Sequence, residues 1–236
     1  MAKYFTLAEI KTKLKQDLDL EQEQFIVSSE LLGYINEAID DCEAFIHGLY
    51  ADYFFKQDTF SLVKDQSLYP LPTDIYGHKI RRLLFNDGTE KYRIRRVRRI
   101  DTTMFSEPLD FYRYILENSA PGESNIGHRF YPTPVANETD VITRFYIRNA
   151  NRLVVDADIC DIPEFVNYIF AHVKYNVAKK EKLGQDIQIA AAHLEAERKL
   201  MEGTLMTMVP DGDNKILMDT SHYDDFYYHL YSYFQY

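Results

Sequence analysis

The stretch Leu31–Leu62, LLGYINEAIDDCEAFIHGLYADYFFKQDTFSL, changes its hydrophobic period partway along, and that change sets the fold class. Leu31, Leu32, Ile35, Ala38, Ile39, Cys42, Phe45, Ile46 and Leu49 recur at three- and four-residue steps, the stripe of an amphipathic helix. Ser28 or Ser29 stands ahead of it as an N-cap. Past Tyr50 the period shortens, and Phe60 and Leu62 alternate with polar neighbours as a strand requires. Helix gives way to sheet within one segment.

Upstream, Thr6-Leu7-Ala8-Glu9 has the spacing of a capping box, and Leu7, Ile10, Leu14 and Leu18 share a helical face behind it. Downstream, Tyr69-Pro70-Leu71-Pro72-Thr73-Asp74 is extended and then turns, because each Pro biases the residue before it toward β or polyproline geometry. Ile80–Phe85 and Tyr92–Val97 flank the turn signal Asn86-Asp87-Gly88-Thr89 and read as a hairpin. Phe111–Leu116, His128–Tyr131 and Val141–Ile147 read as further strands, with a loop over Ser119–Gly127. Helical period returns at Asp161-Ile162-Pro163-Glu164, with Asp161 as the cap and Pro163 in the first turn. Ile162, Phe165, Val166, Ile169, Phe170, Val173 and Val177 form its stripe. Gly184 suits a C′ position, and Ile187–Leu205 returns as the second arm of an αα-hairpin.

The order predicts an α+β, mainly α chain: a helical bundle of two N-terminal and two C-terminal helices with an inserted small β module. The expected divisions are 1–52 with 160–208 for the helical domain, 53–159 for the β module and 209–236 for an extended C-terminal arm. At 236 residues the chain has room for one to two domains of roughly 150 residues. No apolar run approaches the about 18 residues of a membrane span, and Met1–Lys15 lacks the apolar core of an export signal. The two cysteines, Cys42 and Cys160, lie among apolar residues and read as reduced buried thiols.

Motifs for catalysis are missing. There is no P-loop, G-x-G-x-x-G, H-E-x-x-H or C-x-x-C, and nine glycines leave little for phosphate-binding loops. Asp211-Gly212-Asp213-Asn214-Lys215 begins like a calcium loop, but Lys215 replaces an oxygen ligand. His222 and His229 lack a third metal ligand nearby. No catalytic residue, cofactor or metal site is expected.

Two features go beyond a generic globule. Net charge is −10, yet residues 79–99 hold nine basic residues against two acidic ones. There Arg93 and Arg95 share one strand face and Arg96 and Arg98 the other, with Arg99 following. This reads either as a projecting, solvated β-arm or as a dock for acidic protein or phosphate. The second feature is the C-terminus, where eight of the fourteen residues Tyr223–Tyr236 are aromatic. Tyr223, Phe226, Tyr227, Leu230, Tyr231 and Phe234 fit one helical face, too apolar to stay in water. It either folds back on its own domain or reaches across the turn-rich stretch Val209–Ser221 to another subunit.

Several pieces, in order, resemble the head-to-tail adaptor (connector ring) proteins of tailed bacteriophages. They are Thr6-Leu7-Ala8-Glu9-Ile10, Leu31-Leu32-Gly33-Tyr34-Ile35-Asn36-Glu37-Ala38, Tyr69-Pro70-Leu71-Pro72-Thr73-Asp74 and Phe130-Tyr131-Pro132-Thr133-Pro134. Phe145-Tyr146 with Leu153, then Ile162-Pro163-Glu164-Phe165, complete the set. The resemblance covers about residues 6–205, so the aromatic arm takes no role from it. It implies a non-enzymatic virion protein at the head–tail junction, made in the host bacterial cytoplasm. It further implies a ring of commonly twelve copies that binds the portal protein on one side and tail or second-ring proteins on the other. Double-stranded DNA would pass through the channel without sequence-specific contact, and no membrane partner is implied. Twelve copies at −10 each would repel phosphate and let DNA slide, so the acidic helices, more than the arginine hairpin, are expected to face the channel. A nucleic-acid-binding protein using the arginine hairpin is the alternative. A small enzyme whose site escapes motif search is a third reading.

Overall fold

Thr6 opens the first helix, α1 (Leu7–Asp17), with the reciprocal cap its sequence encodes: the Glu9 amide donates to its hydroxyl and the Glu9 carboxylate accepts from its backbone. The computed structural model describes residues 4–18, 26–86, 88, 91–98, 112–118, 126–134, 141–181 and 184–208. Leu7, Ile10 and Leu14 are fully buried, each contributing about 1.5–3 kcal/mol. Backbone bonds from Leu7 and Ala8 to the Asp158 and Asp156 carbonyls fix α1 to the segment that leads into the late helices.

The helix α2 (Ser28–Leu49) buries Leu31, Ile35, Ala38, Ile39, Cys42 and Ile46, the stripe expected of it. Its cap differs: Val27 occupies the N-cap without a side-chain bond, and Ser28 is already helical. A 3-10 turn, Ala51–Phe54, then delivers the chain into the sheet. The strands are β1 (Phe55–Ser61), β2 (Leu68–Pro70), β3 (Ile75–Asn86), β4 (Lys91–Arg96), β5 (Arg113–Asn118), β6 (Ile126–Tyr131) and β7 (Val141–Arg148). A second 3-10 turn, Pro163–Phe165, precedes α3 (Val166–Glu181) and α4 (Gly184–Met208).

All seven strands join one sheet in the order β1-β7-β3-β4-β5-β6-β2, antiparallel except for the parallel β4–β5 pair. The sheet curls until its edge strands face each other. Phe60 of β1 reaches Tyr69 of β2 with ring centroids 5.3 Å apart, and the Val63 amide after β1 donates to the Tyr69 hydroxyl at 2.8 Å. Inside the curl lies an apolar cluster of its own: Leu62, Tyr69, Leu83, Phe85, Ile94, Tyr114, Phe130 and Ile142.

This overturns the expectation of a helical bundle carrying a small β module. Strand-forming sequence runs from Phe55 to Arg148, and the sheet has its own interior, while the main cluster draws Phe54, Ile147 and Ala150 in with the helices. The mixed α+β class stands, without a bundle. Two local readings are corrected as well. Asp161 is not a cap; its Oδ2 accepts from Arg148 Nη1 and from the Asn151 amide, and Ile162 precedes the 3-10 turn. Gly184 begins α4 instead of ending α3.

Helices and sheet meet at a polar joint. The Glu43 carboxylate on α2 accepts from the Ala150 amide at 3.0 Å and lies 3.3 Å from His47, whose ring stacks on Tyr76 of β3 at 3.6 Å.

Candidate functional site

Part of the arginine segment forms a basic strip on the outer side of β3, β4 and β5. In β4, Tyr92 and Ile94 turn into the interior, Ile94 only 2% exposed, so Lys91, Arg93 and Arg95 must point outward, and all three are exposed. The register extends the face to both sides. Arg93 is paired with Leu84, two residues beyond exposed Arg82 on β3, and Arg95 is paired with Arg113 on β5. Like charges on adjacent strands repel, and planar guanidinium groups of this kind suit carboxylate or phosphate partners.

A projecting arm is therefore not what forms. β4 lies between β3 and β5, and the alternation of Tyr92 and Ile94 with arginines carries it through the sheet. Arg96 opposes buried Tyr114 at the parallel step, and Arg96 and Arg98 are exposed. Arg99 and the aromatic set Tyr223, Phe226, Tyr227, Leu230, Tyr231 and Phe234 lie outside the described residues. So do His222, His229 and the Asp211–Lys215 stretch.

The inner face holds charges that sequence reading missed. Arg144, 6% exposed, donates through Nε to Asp58 at 2.9 Å and through Nη1 to the Pro70 carbonyl at 2.9 Å, tying the two edges of the curl together. Asp74 accepts from Lys56 at 2.7 Å and from the Tyr146 hydroxyl at 2.9 Å. Burial pushes the Asp74 carboxyl up, but these two donors outweigh it and hold the group below its ordinary value. His128 is fully buried between Phe60, Tyr114 and Phe130, and neither ring nitrogen has a hydrogen-bond partner. Desolvation, with Arg144 nearby, lowers its pKa to about 3, so it stays neutral. These groups brace the curl from within.

The helices present a different surface. The five carboxylates of α2 all find partners within the chain: Glu30 with Lys180, Glu37 with Asn176, Asp40 with Arg152, Asp41 with Tyr168, and Glu43 at the sheet joint. The Lys180 and Tyr34 hydrogen bonds hold the Glu30 carboxyl below its ordinary range. By contrast, α4 buries only Met201 and Leu205 of its 25 residues and leaves Ile189, Leu200 and Met206 more than half exposed. A groove of about 540 Å³ runs between the end of α1, α3 and the start of α4 over Leu18, Val177 and Ile189. The sequence signal for this exposed apolar surface is apolar residues lying off the short buried stripe of α4.

Cys42 and Cys160 are both buried free thiols; desolvation raises Cys42 well above its ordinary value and Cys160 to about 11. Among the described residues, no three His, Cys, Asp or Glu side chains gather as metal ligands, and no helix is long and apolar enough to cross a membrane.

No curated protein matches the chain. The family model for the SU10 adaptor protein matches residues 5–215, a span that takes in α1, the whole curled sheet and the α3–α4 hairpin. A protein whose exposed charge and exposed apolar helix surface suit docking is accounted for by that match: the chain belongs to the SU10 adaptor protein family, a family of phage head-to-tail adaptors.

Proposed function

We propose that the chain is a subunit of a ring joining the portal to the tail, with a central channel through which double-stranded DNA passes. Family membership over residues 5–215 is the observation that carries this reading. The surface chemistry supports it. A closed ring of identical subunits with heterologous contacts needs two different complementary patches on each copy. The arginine face of the sheet and the exposed apolar residues of α4 are two different patches, each calling for its own complement on a neighbour: acidic or aromatic groups for the first, apolar side chains for the second. The commonly twelvefold copy number and the roles of portal and tail-side partners come from the family reading. Within the ring, the arginine face turns toward protein and the net-negative remainder of the chain toward DNA, so that the channel wall does not grip phosphate.

Mixing the purified chain with the portal of its phage and imaging by negative stain tests this. A second symmetric ring seated on one face of the portal is the expected result; a bare portal beside monomers contradicts it. Exposed Lys91, Arg93 and Arg95 favour one other reading, binding of the monomer to nucleic acid. Tight duplex binding by the monomer that falls steeply with salt would favour that alternative.

A further inference from the structure

We infer that the aromatic C-terminal segment of one copy docks on the arginine-rich outer face of the next copy's sheet. The inference rests on the ring reading and names the two surfaces that meet. Residues 209–236 carry five Asp against one Lys, together with the aromatic run Tyr223–Tyr236. The sheet face carries Lys91, Arg93 and Arg95 on one strand, flanked by Arg82 and Arg113, while Glu117 farther along β5 is taken by Arg129. Charge complementarity is direct. Arginine is also the cation that suits this segment best, because its planar guanidinium stacks on aromatic rings while its donors take carboxylates.

The path of the chain allows the contact. On α2, Glu30 bonds Lys180 near the end of α3, while His47 at the other end stacks on the sheet. α4 begins beside α3's end, with Ile189 and Ala190 sharing the groove with Val177 and Ala178. It then runs along α2 toward the sheet: Met201 Sδ lies 3.4 Å from Cys42 Sγ, and Arg198 covers the Phe45 ring. The described chain thus leaves α4 at Met208 toward the sheet end of the helices. The residues 209–222 span up to about 48 Å when extended, enough to cross to a neighbouring subunit. The groove between α1, α3 and α4 is the poorer receptor: Lys174 on its rim already pairs with Asp17 at 2.8 Å, which leaves Glu181 and Asp186 to repel the acidic segment.

The test uses the full chain with a photoreactive benzoylphenylalanine in place of Tyr227, assembled on the portal from an equal mixture of isotopically light and heavy copies. Cross-links onto Lys91–Arg96 that join light to heavy chains are expected. Links to that strand only within one copy, or links to the helices or to portal, overturn the inference while rings seen in the same sample leave the ring reading standing. A sample that never assembles overturns both. In a second arm, Lys91→Glu with Arg93→Glu, both exposed and so compatible with folding, lowers the cross-link yield by about ten-fold or more. Adding Asp224→Arg and Asp225→Arg to that chain restores the yield. Unchanged yield in the first variant, or failure of the second to restore it, contradicts the contact.

Discussion

Arg144 shows what a single side chain does in this fold: it is buried, and Asp58 and the Pro70 carbonyl satisfy it from opposite edges of the curl. Removing Asp58 leaves that charge short of its counterion, so Asp58→Ala should cost up to about 3 kcal/mol in urea unfolding, more than an exposed ion pair would. Gly127 is a second point of constraint, since a Cβ there would stand 2.7 Å from the Tyr69 carbonyl oxygen where β2 pairs with β6. Gly127→Ala should therefore destabilise by about 1–3 kcal/mol, read from the denaturant midpoint. Asp74 sets an acid limit. Its folded carboxyl titrates below its ordinary value, so its contribution is complete above the unfolded pKa and is lost as pH falls through the folded one. Asp74→Asn should flatten the loss of stability below about pH 4, measured by unfolding across the acid range; an unchanged slope would show that the Lys56 and Tyr146 bonds contribute little.

At the scale of elements, helices were readable because their signals are local. The Thr6–Glu9 box and the Leu31–Ile46 stripe each lie within a few turns, and both form as read. Thr6→Ala should remove about 1 kcal/mol and fray α1, visible as faster amide exchange over its first turn. Strand existence was also legible, from period two in β1 and from the turn-forming sequence Asn86-Asp87-Gly88-Thr89 between β3 and β4. The joining of those strands was not. Order and curl depend on pairings such as β1 with β7, some 86 residues apart at Asp58 and Arg144, which no local pattern records. The arginine density of β4 also hid its alternation. The charges on both faces suggested a projecting arm, yet Tyr92 and Ile94 suffice to seat the strand inside the sheet. The caps Ser28 and Asp161 failed for a related reason, as longer-range bonds redirected Asp161 and the α2 helix began one residue early.

For the molecule as a whole, family membership and the disposition of its surfaces point to a part that works among neighbours. Exposed basic residues line the outer side of β3 and β4, α4 is left with exposed apolar residues, and most of α2's charge is spent on holding the fold together. Deleting residues after Asp219 should leave the thermal unfolding of the folded region unchanged while reducing assembly, as judged by sedimentation. Loss of folding in that truncation would show that the aromatic segment belongs to the chain's own core. The most direct measurement is native mass spectrometry of the chain bound to its portal. The account predicts one complex carrying a fixed ring's worth of 27.8-kDa subunits, commonly twelve by family resemblance. A portal of unaltered mass accompanied only by free 27.8-kDa chains would contradict it.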